Sequence, residues 1–262
     1  MAKRESSDFQ VVTEIPGDPV SQIQIDRLLS RYLWAAEYCQ GLDVVEVACG
    51  AGPGLGLLER ASHSIEGGDL CEPILAQAKM HYGERIPLSV FDALNLPYDD
   101  DSKDVVILFE ALYYLPDAGI FLDECKRVLR PGGRVLLATA NKDLWDFHRS
   151  PFSVEYYGVV ELNELLGNFG FSAEFFGFES VKQSQFKQRV LRTVKWLAVA
   201  GHLMPKTMAG KRWLRRLVFG PQIPMPHEVK TQDGDVAKPT VLSDLGPDTE
   251  HRVLYCVAAL DR

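Results

Sequence analysis

The run Val44-Val45-Glu46-Val47-Ala48-Cys49-Gly50-Ala51-Gly52-Pro53-Gly54-Leu55-Gly56 sets a carboxylate near the end of an apolar stretch and follows it with a glycine-rich turn. Glycines let backbone N–H groups approach a ligand that side chains would block, and a helix starting there adds its own N-terminal donors. This is the chemistry of a nucleotide-type cofactor site. A dinucleotide turn requires G-x-G-x-x-G, yet the third glycine position is Leu55 counted from Gly50 and Gly52, and Leu57 counted from Gly52 and Gly54. The fingerprint fails in both registers. Glu46 is ill suited to a pyrophosphate and well suited to a ligand that carries an ammonium group.

Further candidates follow at regular intervals. Asp69 closes a second short apolar stretch, Ser64 to Gly68, close to the ~20-residue offset at which a carboxylate meets a ribose diol in nucleotide-binding βαβ units. Asp92-Ala93 closes a third, and Asp104 to Phe109 makes a fourth that runs into Glu110-Ala111-Leu112-Tyr113-Tyr114. A later segment, Asn141 to Ser150, brings His148, a side-chain type suited to general-base work. The elements that must position these groups alternate. Strands are predicted near 43–48, 64–68, 87–91, 104–109, 134–139, 172–178 and 252–259, with helices near 54–61, 72–82 and 117–129. Apolar spacing over Ile23, Ile25, Leu28, Leu29, Tyr32, Leu33 and Ala36 predicts a helix from about Val20 to Cys39 that is placed to act as a lid. Tyr32 and Trp34 on it are either packing residues or ligand contacts. Alternation of this kind implies a parallel sheet with right-handed crossovers, whose ligands bind beyond the C-terminal strand ends.

The segment Glu124-Cys125-Lys126-Arg127-Val128-Leu129-Arg130-Pro131-Gly132-Gly133-Arg134-Val135-Leu136-Leu137 resembles the E-x-x-R-v-L-k-P-G-G turn and fifth strand of class I S-adenosylmethionine (AdoMet)-dependent methyltransferases, with a type 11-like domain. Together with the glycine turn, Asp69 and Asp92, the resemblance covers roughly residues 40–180 and, more weakly, the last strand. It implies an α/β, Rossmann-like, doubly wound seven-stranded sheet, mostly parallel with an antiparallel last strand and helices on both faces. It also implies a site. Gly50, Gly52 and the Ala48 backbone would line the methionine moiety, with Glu46 and the Phe109 carbonyl near its ammonium. Asp69 would accept both ribose hydroxyls, Leu70 would pack on the adenine face, and Asp92 and the Ala93 N–H would read the adenine edge. Tyr114 falls where the family often faces the transferred methyl, and His148 is the candidate base. AdoMet is the implied cofactor, S-adenosylhomocysteine (AdoHcy) the product, and no metal is expected. Two departures stand out: Ala48 occupies a position commonly glycine, and Lys103 replaces the usual aromatic before strand four.

Composition narrows the acceptor. The chain has 262 residues, 46% of them hydrophobic, enough for one elaborated domain: a lid region over 1–40, a core over 41–180, an insertion over 181–240 and a final strand over 241–262. The N-terminus has no apolar leader and no window reaches a membrane span, so a cytoplasmic protein is expected. Five cysteines form no C-x-x-C pair and suit buried apolar positions better than a disulfide framework or zinc site. A net charge of −8 argues against a nonspecific nucleic-acid surface. No D/N-P-P-Y/F follows strand four, no Pro-Cys pair offers a nucleophile for pyrimidine methylation, and the carboxylate cluster of a metal-dependent catechol site is missing.

The charge is unevenly distributed. Between Ser180 and His227 there is no acid, while ten Lys and Arg alternate with apolar residues at helical spacing. The segment either caps the domain with its basic side solvated or, through 182–219, meets an anionic substrate or an anionic membrane surface. The expectation is an AdoMet-dependent methyltransferase acting on a small-molecule or lipid-linked acceptor at oxygen. A catalytically silent AdoMet/AdoHcy-binding module and a membrane-associated scaffold of the same fold are the alternatives.

Overall fold

The computed structural model describes residues 15–150, 152–181, 221–242 and 246–261. The basic segment 182–219 lies outside them. A short strand β1 (Pro19–Ser21) leads into helix α1 (Gln22–Glu37), whose first turn is capped as Gln24 Oε1 accepts from the Ser21 N–H (2.8 Å) and hydroxyl (2.9 Å). Ile25, Leu28, Leu29, Tyr32, Ala35 and Ala36 form its buried stripe, the i, i+3, i+4, i+7 pattern of an amphipathic helix. The alternating units follow: β2 (Asp43–Val47), α2 (Leu55–Ala61), β3 (Ser64–Asp69), α3 (Glu72–Tyr82), β4 (Leu88–Val90), β5 (Lys103–Phe109), α4 (Ala118–Val128) and β6 (Leu129–Ala140). Helix α5 (Val159–Asn168), β7 (Phe171–Ser180), β8 (Gln222–Pro224), β9 (Thr240–Val241) and β10 (His251–Leu260) complete the described elements.

The main sheet has the order β4-β3-β2-β5-β6-β10-β7-β9. Strands β2 to β6 pair in parallel, and β10 is inserted antiparallel between β6 and β7, with Tyr255 opposite Ala138 on one side and Phe176 on the other. Side chains alternate between faces: Val105, Ile107 and Phe109 join the core under α1 to α3, while Val106 and Leu108 join the core under α4 and α5. The chain winds outward from β2 through β3 and β4, then returns to start β5 on the other side of β2. The resulting switch point between β2 and β5 opens a crevice at their C-terminal ends.

Two features correct the expected seven-stranded sheet. An eighth, two-residue strand, β9, pairs antiparallel with β7, and β1 pairs with β8 in a separate two-stranded sheet. Both are too short to carry a period-2 pattern and exist only because tertiary structure brings the edges together. Strand β6 also begins five residues before the expected Arg134, since Leu129 already pairs with Lys103 ahead of a register break at the Pro-Gly-Gly turn. Lys103, the departure before β5, is buried, ion-paired with Glu66, and sits 4.4 Å from the Tyr98 ring centroid.

The segment after the basic insertion is fastened beside the glycine turn. The Val229 N–H donates to Pro53 O, and the Glu228 carboxylate meets Arg60 (3.1 Å), His81 (3.2 Å) and Arg85 (2.6 Å). Burial raises the Glu228 pKa, but hydrogen bonds from these partners outweigh it and hold the carboxyl at about 2. All five cysteines are buried and none is in a disulfide. Among the described residues no helix is long and apolar enough to cross a membrane.

Candidate cofactor and acceptor site

Strand β2 delivers Glu46 into the protein interior, 1% exposed, where the Tyr32 hydroxyl of α1 donates to its Oε1 at 2.5 Å. Its Oε2 is buried without a partner. Burial is the largest influence on this carboxyl and the Asp69 charge adds to it. The Tyr32 hydrogen bond and the Arg31 charge pull the other way, leaving the pKa at about 7. Beyond β2 the backbone turns left-handed at Ala48 (φ 55°), Gly50 (φ 59°) and Gly52 (φ 68°). At Ala48 that conformation is strained, and a glycine would adopt it freely. Gly54 is required for a different reason: a Cβ there would lie 2.2 Å from the Tyr32 ring, so its absence lets α1 close over the turn.

Asp69, at the end of β3, ties the turn to its neighbour. Its Oδ2 accepts from the Gly50 N–H (2.9 Å) and its Oδ1 from the Cys71 N–H (2.7 Å), which leaves each oxygen lone-pair capacity for a further donor. Burial raises its pKa, and the two backbone bonds act against that rise. Leu70 beside it is an exposed apolar side chain (47%), Asp92 is exposed with Oδ1 accepting from the Leu94 N–H at 3.0 Å, and Ala93 is buried.

These groups line a cavity of about 1090 Å³, and Phe109, Glu110, Tyr113, Tyr114, Val154 and Met225 line the same cavity. Of the residues singled out from sequence, Glu46, Ala48, Gly50, Asp69, Leu70, Asp92, Ala93, Phe109 and Tyr114 line this one cavity. Gly52 stands just behind it, its carbonyl accepting from the Tyr82 hydroxyl at 2.7 Å. Tyr114 is half-buried and meets Tyr113 edge-on at 4.6 Å, and burial raises its phenol pKa. His148 is not brought to the site: it is exposed and absent from the cavity wall. Its loop leaves the sheet edge at Asn141, whose amide donates to Asp248 O (2.6 Å) and His251 O (2.9 Å) and fixes only the loop's start. Tyr32 reaches the cavity, whereas Trp34 packs into Tyr255 (4.8 Å) and Phe176 (5.8 Å).

Arg31 was missed in the sequence. One turn after Arg27 on α1, it lines the cavity with its side chain 14% exposed, its guanidinium 5.3 Å from the Phe109 ring centroid and 3.4 Å from Glu110 Oε1. Its Nε is buried without a partner. A largely buried cation and the buried Glu46 carboxylate thus line the same crevice, each with an unmatched polar atom. That donor set fits a zwitterionic amino-acid group, and the exposed Leu70 between two acids fits a nucleoside. Among the described residues no group of three or more His, Cys, Asp or Glu stands at metal-ligating distance.

The comparisons with known proteins agree with this geometry. Residues 45–137 match the methyltransferase domain family. A probable S-adenosylmethionine-dependent methyltransferase of Mycolicibacterium smegmatis is 35% identical over 147 residues, 55% of this chain and 57% of that protein. The phthiotriol/phenolphthiotriol dimycocerosates methyltransferase of Mycobacterium tuberculosis is 44% identical over 98 residues, 36% of each chain. The chain thus spans little more than half the length of the curated relatives it matches. In fold, a SAM-dependent methyltransferase from Thermotoga maritima superposes with a TM-score of 0.58 at 14% identity, covering 91% of this chain and 92% of its own. Residues 45–137 are thus similar to the methyltransferase domain family, and the Rossmann-like core built around them has the fold of S-adenosylmethionine-dependent methyltransferases.

Proposed function

We propose that the protein transfers the methyl group of AdoMet to a small-molecule or lipid-linked acceptor at oxygen. The observation that carries this reading is the continuous cavity. At about 1090 Å³ it lies at the upper limit of the ~300–1,000 Å³ usual for a single small-molecule ligand, leaving room for an acceptor beside the cofactor. That room also favours an enzyme over a silent cofactor-binding module.

In this reading Asp69 takes the ribose diol, Leu70 the adenine face, and Asp92 with the Ala93 N–H the adenine edge. Ala48 and Gly50 line the methionine chain, and Gly52 shapes the turn behind them. Glu46 and the Phe109 carbonyl face its ammonium, and Arg31 takes its carboxylate. Bound there, AdoMet supplies a sulfonium-activated methyl and its own leaving group, so this chain mainly aligns the partners and excludes water. Tyr113 and Tyr114 form part of the wall beside Glu110.

The apolar lining at Leu28, Leu115, Val154 and Met225 suits an acceptor with a hydrophobic body. The relative named for a phthiotriol dimycocerosate substrate points the same way. We place the protein in the cytoplasm as one domain over 1–262, and assign peripheral contact with an anionic membrane surface to the basic sequence of 182–219. The test is incubation with methyl-labelled AdoMet and a soluble-plus-membrane extract, followed by phase partition. Label in the organic phase is expected; label confined to water would refute the apolar acceptor, and no label with AdoHcy bound would refute methyl transfer.

A further inference from the structure

Four non-glycine residues among those described have left-handed backbone: Ala48, Asp101, Glu110 (φ 53°) and Glu179 (φ 60°). Three of them, Ala48, Glu110 and Glu179, line the one cavity. Strain of this kind persists where surrounding structure enforces it, and it clusters at sites of function. The two glutamates sit at the ends of β5 and β7, and each faces an arginine of α1.

The two pairs differ. Arg27 grips Glu179 with two bonds, Nε to Oε1 at 2.8 Å and Nη2 to Oε2 at 2.7 Å. Glu110 is held loosely: Arg31 Nη1 is 3.4 Å from Oε1 and the Tyr113 hydroxyl 3.2 Å from Oε2, with the side chain 30% exposed. Glu46 is buried against Tyr32 and assigned to the ammonium, while Asp146, bonded to Arg252 at 3.0 Å, and His148 do not line the cavity. Of the two glutamates that line the cavity and are not assigned to the cofactor, Glu179 is gripped and Glu110 is the one held loosely enough to take a new donor.

We propose that Glu110 is the base that removes the proton from the acceptor's hydroxyl, and that the acceptor is therefore an alcohol or phenol on an apolar body. The inference rests on the methyl-transfer reading above and adds the acceptor's reacting group. The acceptor O–H bond breaks as its proton passes to a Glu110 oxygen. An oxygen lone pair forms the C–O bond while the methyl carbon–sulfur bond breaks and its electron pair stays on sulfur. The proton then leaves Glu110 for solvent. Arg31 from α1, Tyr113 and Tyr114 from the turn after β5, and Tyr255 from β10 are the charged and titratable groups around the carboxylate.

The experiment begins with AdoHcy titration of the full chain by calorimetry. Labelled AdoMet is then supplied with a long-chain alcohol, an alkylphenol, a long-chain amine and a fatty acid as separate probes. Label is expected as an alkali-stable ether on a hydroxyl probe. Glu110→Gln and Glu110→Asn, the second suited to left-handed backbone, should each lower kcat by about 10²–10⁴ and flatten the acidic limb of the pH–kcat profile. AdoHcy affinity within twofold of wild type would show that the variants are folded, and Glu110→Asp should restore part of the rate. The proposal is overturned by label on the amine or fatty acid alone, by no labelled probe despite AdoHcy binding, or by variants that keep both the rate and the acidic limb. Failure of the wild-type chain to bind AdoHcy would instead remove the cofactor reading beneath it.

Discussion

Replacing Glu46 with Gln separates what the buried carboxylate costs the fold from what it gives the ligand. Burial moves this group from its ordinary 4.5 to about 7. At about 1.4 kcal/mol per pH unit, ionised Glu46 costs the apo protein on the order of 3 kcal/mol. The folded state holds the proton more tightly than the unfolded chain. The group's most favourable contribution is therefore present below pH 4.5, is lost as pH rises toward 7, and changes little above that. Glu46→Gln stays neutral and can still accept from Tyr32, so its stability relative to wild type should climb from under about 1 kcal/mol at pH 5 to about 3 kcal/mol at pH 8. Urea unfolding of both proteins from pH 5 to pH 8 measures this. AdoHcy affinity should move oppositely, falling about ten- to a hundredfold in Glu46→Gln at pH 8 as a charged hydrogen bond is lost. Wild-type binding near pH 6 should release protons into the buffer. A stability difference that stays flat across the series would refute the burial argument, and unchanged AdoHcy affinity would refute the ammonium assignment.

Other perturbations test separate parts of the site. Asp69→Asn should weaken AdoHcy binding by roughly 1–3 kcal/mol by calorimetry, and unchanged affinity would rule out the ribose role. Gly54→Ala forces a Cβ against the Tyr32 ring and should cost about 1–3 kcal/mol, a fall in Tm of roughly 2–10 °C. Glu228→Gln should destabilise the fold by about 1–3 kcal/mol at pH 7. Because that carboxyl is held at about 2, the difference should be complete above pH 4.5 and vanish as pH falls toward 2, as acid denaturation would record. His148→Gln is expected to leave turnover and its pH profile unmoved; a lost limb would mean that the loop brings this ring into the cavity.

What could be read from the sequence is what short stretches of chain decide. Glu46, the glycine turn and Asp69 lie within single βαβ units, where strand ends, turn and helix start fall at offsets set by element geometry. Their meeting at the crevice therefore follows from spacing. The alternating elements were legible for the same reason, and α5 could have been, since Val159, Leu162 and Leu166 repeat at helical spacing. Strands β1, β8 and β9 were not, being two or three residues long and made by pairing alone.

The polar pairs that complete the site were decided by tertiary structure. Arg31 meets Glu110 across 79 residues and Arg27 meets Glu179 across 152, contacts that no local periodicity encodes. The sequence by itself determined where a cofactor-binding turn and its acids must lie, because local backbone geometry dictates them. The packing of α1 across the strand ends decided which carboxylate is clamped, which is buried with its pKa raised to about 7, and which is held loosely, because burial and long-range pairing set those properties.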